Sequence, residues 1–87
     1  MLELYQSETC PYCGKVREKL SDLGVSYVVH NPRLGGKSGG DVTNQRTYDE
    51  MIEMGGENQI PYLVDNARDE ALYESDDIVA YLEKHYE

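Results

Sequence analysis

The chain has 87 residues, and its 17 acidic side chains against eight basic ones give a formal net charge of −9. That length suits a single domain over residues 1–87 with one modest core and no second lobe. So negative a field, with lysines and arginines scattered rather than striped, argues against nucleic acid as a partner; no run of about 18 apolar residues and no N-terminal leader pattern points to a membrane span or to secretion.

The first strand is predicted over Leu2 to Gln6, and Ser7, Glu8 and Thr9 form the turn that leads into Cys10-Pro11-Tyr12-Cys13. These are the only two cysteines in the chain. A helix follows from Pro11 to Leu23: Cys13, Val16, Leu20 and Leu23 recur at helical spacing, Pro11 suits the first helical position, and Gly24 suits the residue past the end. A thiol at a helix start meets unpaired backbone N–H groups, which lower a cysteine pKa from about 8.5 into the range of roughly 3.5 to 7.5. A second thiol one turn on is placed to resolve a mixed disulfide, so the pair can shuttle two electrons.

Other uses of the pair fit less well. A zinc site takes four ligands, and the chain adds to one Cys-x-x-Cys only His30 and His85, at none of the usual spacings, so no metal is expected. A structural disulfide here would close a tiny loop and remove little chain entropy. Two buried, inert cysteines remain an alternative, against which the intervening Pro11 and Tyr12 argue. A secreted domain this small would usually carry several bridges, so the expected location is the reducing cytoplasm.

A second strand is predicted from Val25 to Val29, followed by a glycine-rich loop from Asn31 to Gly40. Thr43 to Met54 reads as a second helix, with Tyr48, Met51 and Ile52 as its apolar stripe and Gly55-Gly56 as its stop. Ile60 to Val64 and Glu70 to Tyr73 form a hairpin around the polar turn Asp65 to Asp69. The last helix runs from Ser75 to about Tyr86, with Ser75 as its expected cap, acids in its first turn, and Lys84 and His85 in its last. The order βαβαββα implies an α/β fold: one four-stranded mixed sheet with helices on both faces, its first two strands parallel and its last two antiparallel.

Three separated pieces now carry a resemblance. Cys10-Pro11-Tyr12-Cys13 after the first strand, Gln59-Ile60-Pro61 in place of a Thr-Val-Pro segment, and Glu74-Ser75-Asp76-Asp77 at a helix start together resemble a dithiol glutaredoxin of the thioredoxin-fold superfamily. The stretch from Leu63 to Tyr86 is also similar to the thiol-binding N-terminal domain of glutathione transferases. The resemblance implies a monomeric, thioredoxin-like thiol-disulfide oxidoreductase in which Cys10 is the exposed nucleophile and Cys13 the resolver. It implies a thiol-binding groove with Tyr12 as one wall, Gln59 and Ile60 beside a cis Pro61, and Ser75 and Asp76 presenting helix N–H groups to a γ-glutamyl carboxylate. No tightly bound cofactor is implied; the co-substrate is glutathione or γ-glutamylcysteine, and the partners are disulfide-containing proteins and low-molecular-weight thiols. A thioredoxin-like reductant served by a reductase and an iron-sulfur cluster module are the alternatives.

One departure stands out. The family often places a lysine three residues before the nucleophile, whereas this chain has Ser7 followed by Glu8, and an acidic neighbour opposes thiolate formation. Lys15, Arg46 or Lys37 are the candidates to supply the missing charge. An acidic surface with few lysines is also what a halophilic, haloarchaeal source would select.

Overall fold

Short apolar strands of four residues each form the centre of the fold, which a computed structural model describes for residues 1–35 and 39–87. In chain order the elements are β1 (Leu2–Tyr5), α1 (Pro11–Leu23), β2 (Tyr27–His30), α2 (Gln45–Gly55), β3 (Tyr62–Asp65), β4 (Glu70–Tyr73) and α3 (Ser75–Tyr86). The sheet order is β2-β1-β3-β4. β1 and β2 run parallel through the α1 crossover, and β3 lies antiparallel to both β1 and β4. This is the mixed thioredoxin-like sheet that the element order implied.

Side-chain alternation divides the core between the two sheet faces. Leu2, Leu4 and Leu63 point to one face, where Val16 and Leu20 of α1 and Ile78, Tyr81 and Leu82 of α3 cover them. Tyr5 and Tyr62 point to the other, against Met51 of α2, with Tyr48 and Ile52 alongside. Cross-strand register places His30, Tyr5, Tyr62 and Tyr73 in one row over all four strands. Neighbouring ring centroids in that row are 4.4, 5.9 and 4.4 Å apart.

Several boundaries differ from those the sequence predicts. β2 begins at Tyr27 rather than Val25, because Val25 belongs to the turn out of α1: its N–H donates to Leu20 O, beside the left-handed Gly24. α2 begins at Gln45 rather than Thr43, since Asn44 is its cap and accepts from Thr47 N at 3.1 Å. Gly55 remains in that helix and Gly56 ends it in the left-handed region. Ser75 is not the cap of α3; Glu74 holds that position with φ of 72°, and Ser75 is the first helical residue. No helix among the described residues is long and apolar enough to cross a membrane.

Candidate dithiol site and groove

Cys10 is the N-cap residue of α1, and Cys13 lies in its first turn. Pro11 at the first helical position has no N–H to lose, so the exposed helix start offers the N–H groups of Tyr12 and Cys13. The turn ahead of the motif is held by Cys10 N–H donating to Ser7 O at 3.1 Å and by a Ser7–Thr9 hydroxyl contact at 2.8 Å. Buried Gln6 anchors it further, accepting from Arg17 and donating to Asn31.

Both cysteines are free thiols and both are buried, Cys10 at 1% exposure and Cys13 at 0%. This corrects the expectation of an exposed Cys10 and the argument that Pro11 and Tyr12 would keep one sulfur open. The two sulfurs pack in the cluster of Tyr5, Met51, Ile60 and Tyr62, while Tyr12, at 50% exposure, turns outward. Burial pushes the Cys13 thiol up to about 12; a Ser7 backbone hydrogen bond and Arg17 work against that, and the Cys10 side chain adds to it.

The Ile60–Pro61 peptide bond is cis, as the resemblance implied. Beside it a groove is lined by Tyr12, Gln59, Ile60, Pro61, Glu74, Ser75 and Asp76. All six groove residues expected from sequence therefore meet at one concavity, and Ile60 joins that concavity to the sulfur cluster. Glu74 is the addition: its side chain accepts from Gln59 Nε2 and so ties the two walls together.

The candidate cations fall out differently. Lys15 pairs with Asp76 across the groove edge. Arg46 is exposed in the first turn of α2, and Lys37 lies outside the described residues. Glu8 is itself paired, 3.5 Å from Arg17 Nε, which offsets its effect on the turn. The buried cation is one that sequence reading passed over, Arg33, at 1% exposure in the glycine-rich loop. A single arginine among glycines gives no periodic signal. Among the described residues no three His, Cys, Asp or Glu side chains gather as a metal site; His30 bonds Glu3 at 2.8 Å, and the His85 ring lies 4.5 Å from that of Tyr81.

Comparison with known proteins agrees with this architecture. The sequence model described as "Glutathione S-transferase, N-terminal domain" matches residues 4–87. Glutaredoxin 3 of Escherichia coli K12 is 33% identical over 67 residues, which is 77% of this chain and 70% of that protein. Among solved structures, a glutathione S-transferase from the Antarctic clam Laternula elliptica superposes with a TM-score of 0.71 at 24% identity over 98% of this chain. An epsilon-class transferase from the housefly Musca domestica gives 0.76 at 17% identity over 99%. The chain spans only 35% of each of these two transferases, and the likeness to them is one of fold. By its match to the domain model and its identity to glutaredoxin 3, the chain belongs to the glutaredoxins, thiol oxidoreductases on the thioredoxin fold that also serves glutathione transferases as their N-terminal domain.

Proposed function

We propose that the 87 residues act as one domain, a cytoplasmic, monomeric thiol-disulfide oxidoreductase. Its substrates are protein disulfides and mixed disulfides with a γ-glutamyl thiol, either glutathione or γ-glutamylcysteine. The observation that supports this reading best is the junction of a reduced dithiol at the α1 start with the groove of Tyr12, Gln59–Pro61 and Glu74–Asp76.

The Cys10 thiolate attacks one sulfur of the substrate disulfide. A Cys10–sulfur bond forms, the substrate S–S bond breaks, and the departing thiolate takes up a proton. The Cys13 thiol then loses its proton and attacks the Cys10 sulfur. This closes the Cys10–Cys13 disulfide and releases the second substrate thiol, so the substrate gains two electrons and the protein loses two. Two small thiols restore the dithiol and leave as their own disulfide. With a glutathionylated substrate, a second small thiol instead attacks the γ-glutamyl sulfur on Cys10, which leaves as a small-molecule disulfide and returns Cys10 as a thiolate, and Cys13 is not needed.

The raised Cys13 thiol supports an order for the two sulfurs. A thiol pushed up to about 12 is protonated at neutral pH, so Cys13 is a poor first nucleophile and acts once Cys10 has bonded. Cys10 is itself buried in the cluster that holds Ile60, so substrate reaches it where Ile60 joins that cluster to the groove. In the groove, the unpaired N–H groups of Ser75 and Asp76 at the α3 start suit a carboxylate. The Asp76 carboxylate, already paired with Lys15, suits the neighbouring ammonium of the same γ-glutamyl group.

The test is a pair of variants assayed on a glutathione mixed disulfide and on a protein disulfide. Cys10→Ser is expected to abolish both reactions, whereas Cys13→Ser keeps most of the mixed-disulfide activity and loses protein disulfide reduction. Equal loss in the two variants would contradict the assigned order. Reduction by a thioredoxin reductase with no response to γ-glutamyl thiols would move the protein to the thioredoxin-like reading, and visible absorbance after iron-sulfur reconstitution to the cluster module.

A further inference from the structure

Past β2 the chain returns to the residues that precede the dithiol. Gly35 N–H donates to Thr9 Oγ1 at 3.1 Å, and Thr9 is the residue before Cys10. Leu34 N–H donates to Asp41 O at 2.8 Å, the Leu34 carbonyl accepts from the Arg33 guanidinium at 3.0 Å, and Arg33 and Val42 form an antiparallel bridge. The Leu34 backbone is thus held on both sides, yet its side chain is 48% exposed and that of Val42 is 41% exposed. Tyr12, two residues past Cys10, is half-exposed in the groove. Single exposed apolar residues are ordinary on a surface, but these are tied to the residues before and after the reacting sulfur. Covering side chains on backbone already fixed requires little further ordering, which favours association.

Charge is divided unevenly along the chain. Residues 51–87 carry ten acidic and two basic side chains, a net charge of −8, whereas residues 1–50 carry a net charge of only −1. The acidic part builds the groove wall from Gln59 to Pro61 and from Glu74 to Asp76. Glu57 is drawn to the same wall, because Tyr73 Oη, one residue before Glu74, donates to its carbonyl at 3.0 Å and accepts from its N–H at 3.2 Å. Glu57 and Asp77 are exposed and make no ion pair among the described residues. The cations of α1 nearest the motif are matched already, Lys15 by Asp76 and Arg17 by Glu8. A partner that brings lysine or arginine is attracted to such a wall, and one that brings carboxylates is repelled.

We propose that Leu34, Tyr12 and the acidic wall of Glu57 and Asp77 form a docking surface for protein disulfides, one that prefers basic polypeptides with an apolar residue beside the reacting cysteine. This rests on the reading of Cys10 and Cys13 as a reducing dithiol and names the class it prefers among its substrates. The apolar neighbour of the substrate cysteine packs on Leu34 while lysine or arginine side chains face the wall; a small disulfide reaches neither. The redox step is unchanged: Cys10 and Cys13 lose two electrons as their disulfide closes, and the substrate S–S bond is reduced to two thiols.

Single-turnover oxidation of the reduced protein tests the inference. The probes are two synthetic peptides, each with one internal disulfide and a leucine beside one cysteine, identical except that the lysines of the first are glutamates in the second, and uncharged 2-hydroxyethyl disulfide. At an ionic strength of 0.1 M the lysine peptide is expected to react about ten-fold faster than the glutamate peptide, and the ratio to fall toward one at 1 M, where the Debye length shrinks from about 10 to about 3 Å. Glu57→Gln with Asp77→Asn is expected to lower that ratio about three-fold, and more than the same change of charge at the opposite end of β3, Asp69→Asn with Glu70→Gln. Leu34→Ser is expected to slow the lysine peptide about five-fold relative to 2-hydroxyethyl disulfide. Equal rates for the two peptides at 0.1 M, a preference that salt leaves unchanged, equal effects of the two pairs of charge variants, or a Leu34→Ser protein with the parent's relative rate each overturns the proposal. The peptide comparison uses the parent chain, so it stands whether or not a variant folds. A reduced protein that 2-hydroxyethyl disulfide does not oxidise at all instead defeats the reducing-dithiol reading, so the two failures are told apart.

Discussion

Asp76 meets two demands at once: its backbone N–H belongs to the open start of α3, and its carboxylate pairs with Lys15 at the groove edge. The Lys15 pair is exposed and contributes little to stability, and in the proposed function Asp76 also meets the ligand's charge. Asp76→Asn is therefore expected to raise the KM for a γ-glutamyl mixed disulfide about ten-fold, the loss of one charged hydrogen bond, with kcat and melting temperature near those of the parent. An unchanged KM would remove Asp76 from the ligand site. Tyr12, Pro61 and Ser75 were legible in the sequence because each sits in a short local motif whose spacing survives without knowledge of the fold. The burial of Arg33 was not legible, because its loop returns to Thr9 from 26 residues further along the chain, nor was the burial of Cys10, because Tyr5, Met51, Ile60 and Tyr62 converge on it from separate parts of the sequence.

Among the elements, the bridge between Arg33 and Val42 depends on Gly40. That residue has φ of 96°, and an added Cβ would stand 2.1 Å from Leu34 O, the same carbonyl that holds Arg33. Gly40→Ala is expected to cost about 1–3 kcal/mol in urea unfolding, since the Leu34 carbonyl must shift to admit the added Cβ. Parent-like stability would show that the Arg33–Val42 bridge tolerates the added methyl. Helix and strand limits were legible where the chain carries its own punctuation: α1 lies between Pro11 and Gly24, and β4 and α3 have the predicted bounds. They shifted where a local hydrogen bond outranked propensity, as when Val25 was drawn into the α1 turn and Asn44 capped α2, which then starts at Gln45 rather than Thr43.

Across the whole molecule, the far end of the sheet is fastened by a buried carboxylate. Asp65 at the end of β3 accepts from Tyr81 Oη at 2.7 Å, Tyr86 Oη at 2.9 Å and Arg68 at 3.3 Å, joining sheet, turn and α3. Burial alone would raise its pKa, but the hydrogen bonds from Tyr81, Tyr86, Arg68 and the Ala67 backbone hold it below the ordinary value of 3.8. A lowered folded pKa contributes stability that is present above the unfolded value and lost as pH falls through the folded one. Asp65→Asn is thus expected to cost about 2 kcal/mol at neutral pH, with the gap to the parent narrowing below about pH 4. Chemical melts showing a constant gap into acid would refute this. The row of rings over the sheet has an optical consequence. The chain has eight tyrosines and no tryptophan, so its near-ultraviolet emission is tyrosine emission alone, and Tyr5 and Tyr62 of that row pack in the same cluster as the two sulfurs. Under the proposed dithiol cycle, oxidation of the pair would place a disulfide, a quencher of phenol fluorescence, among the rings that emit, and the protein would become its own dye for following each turnover.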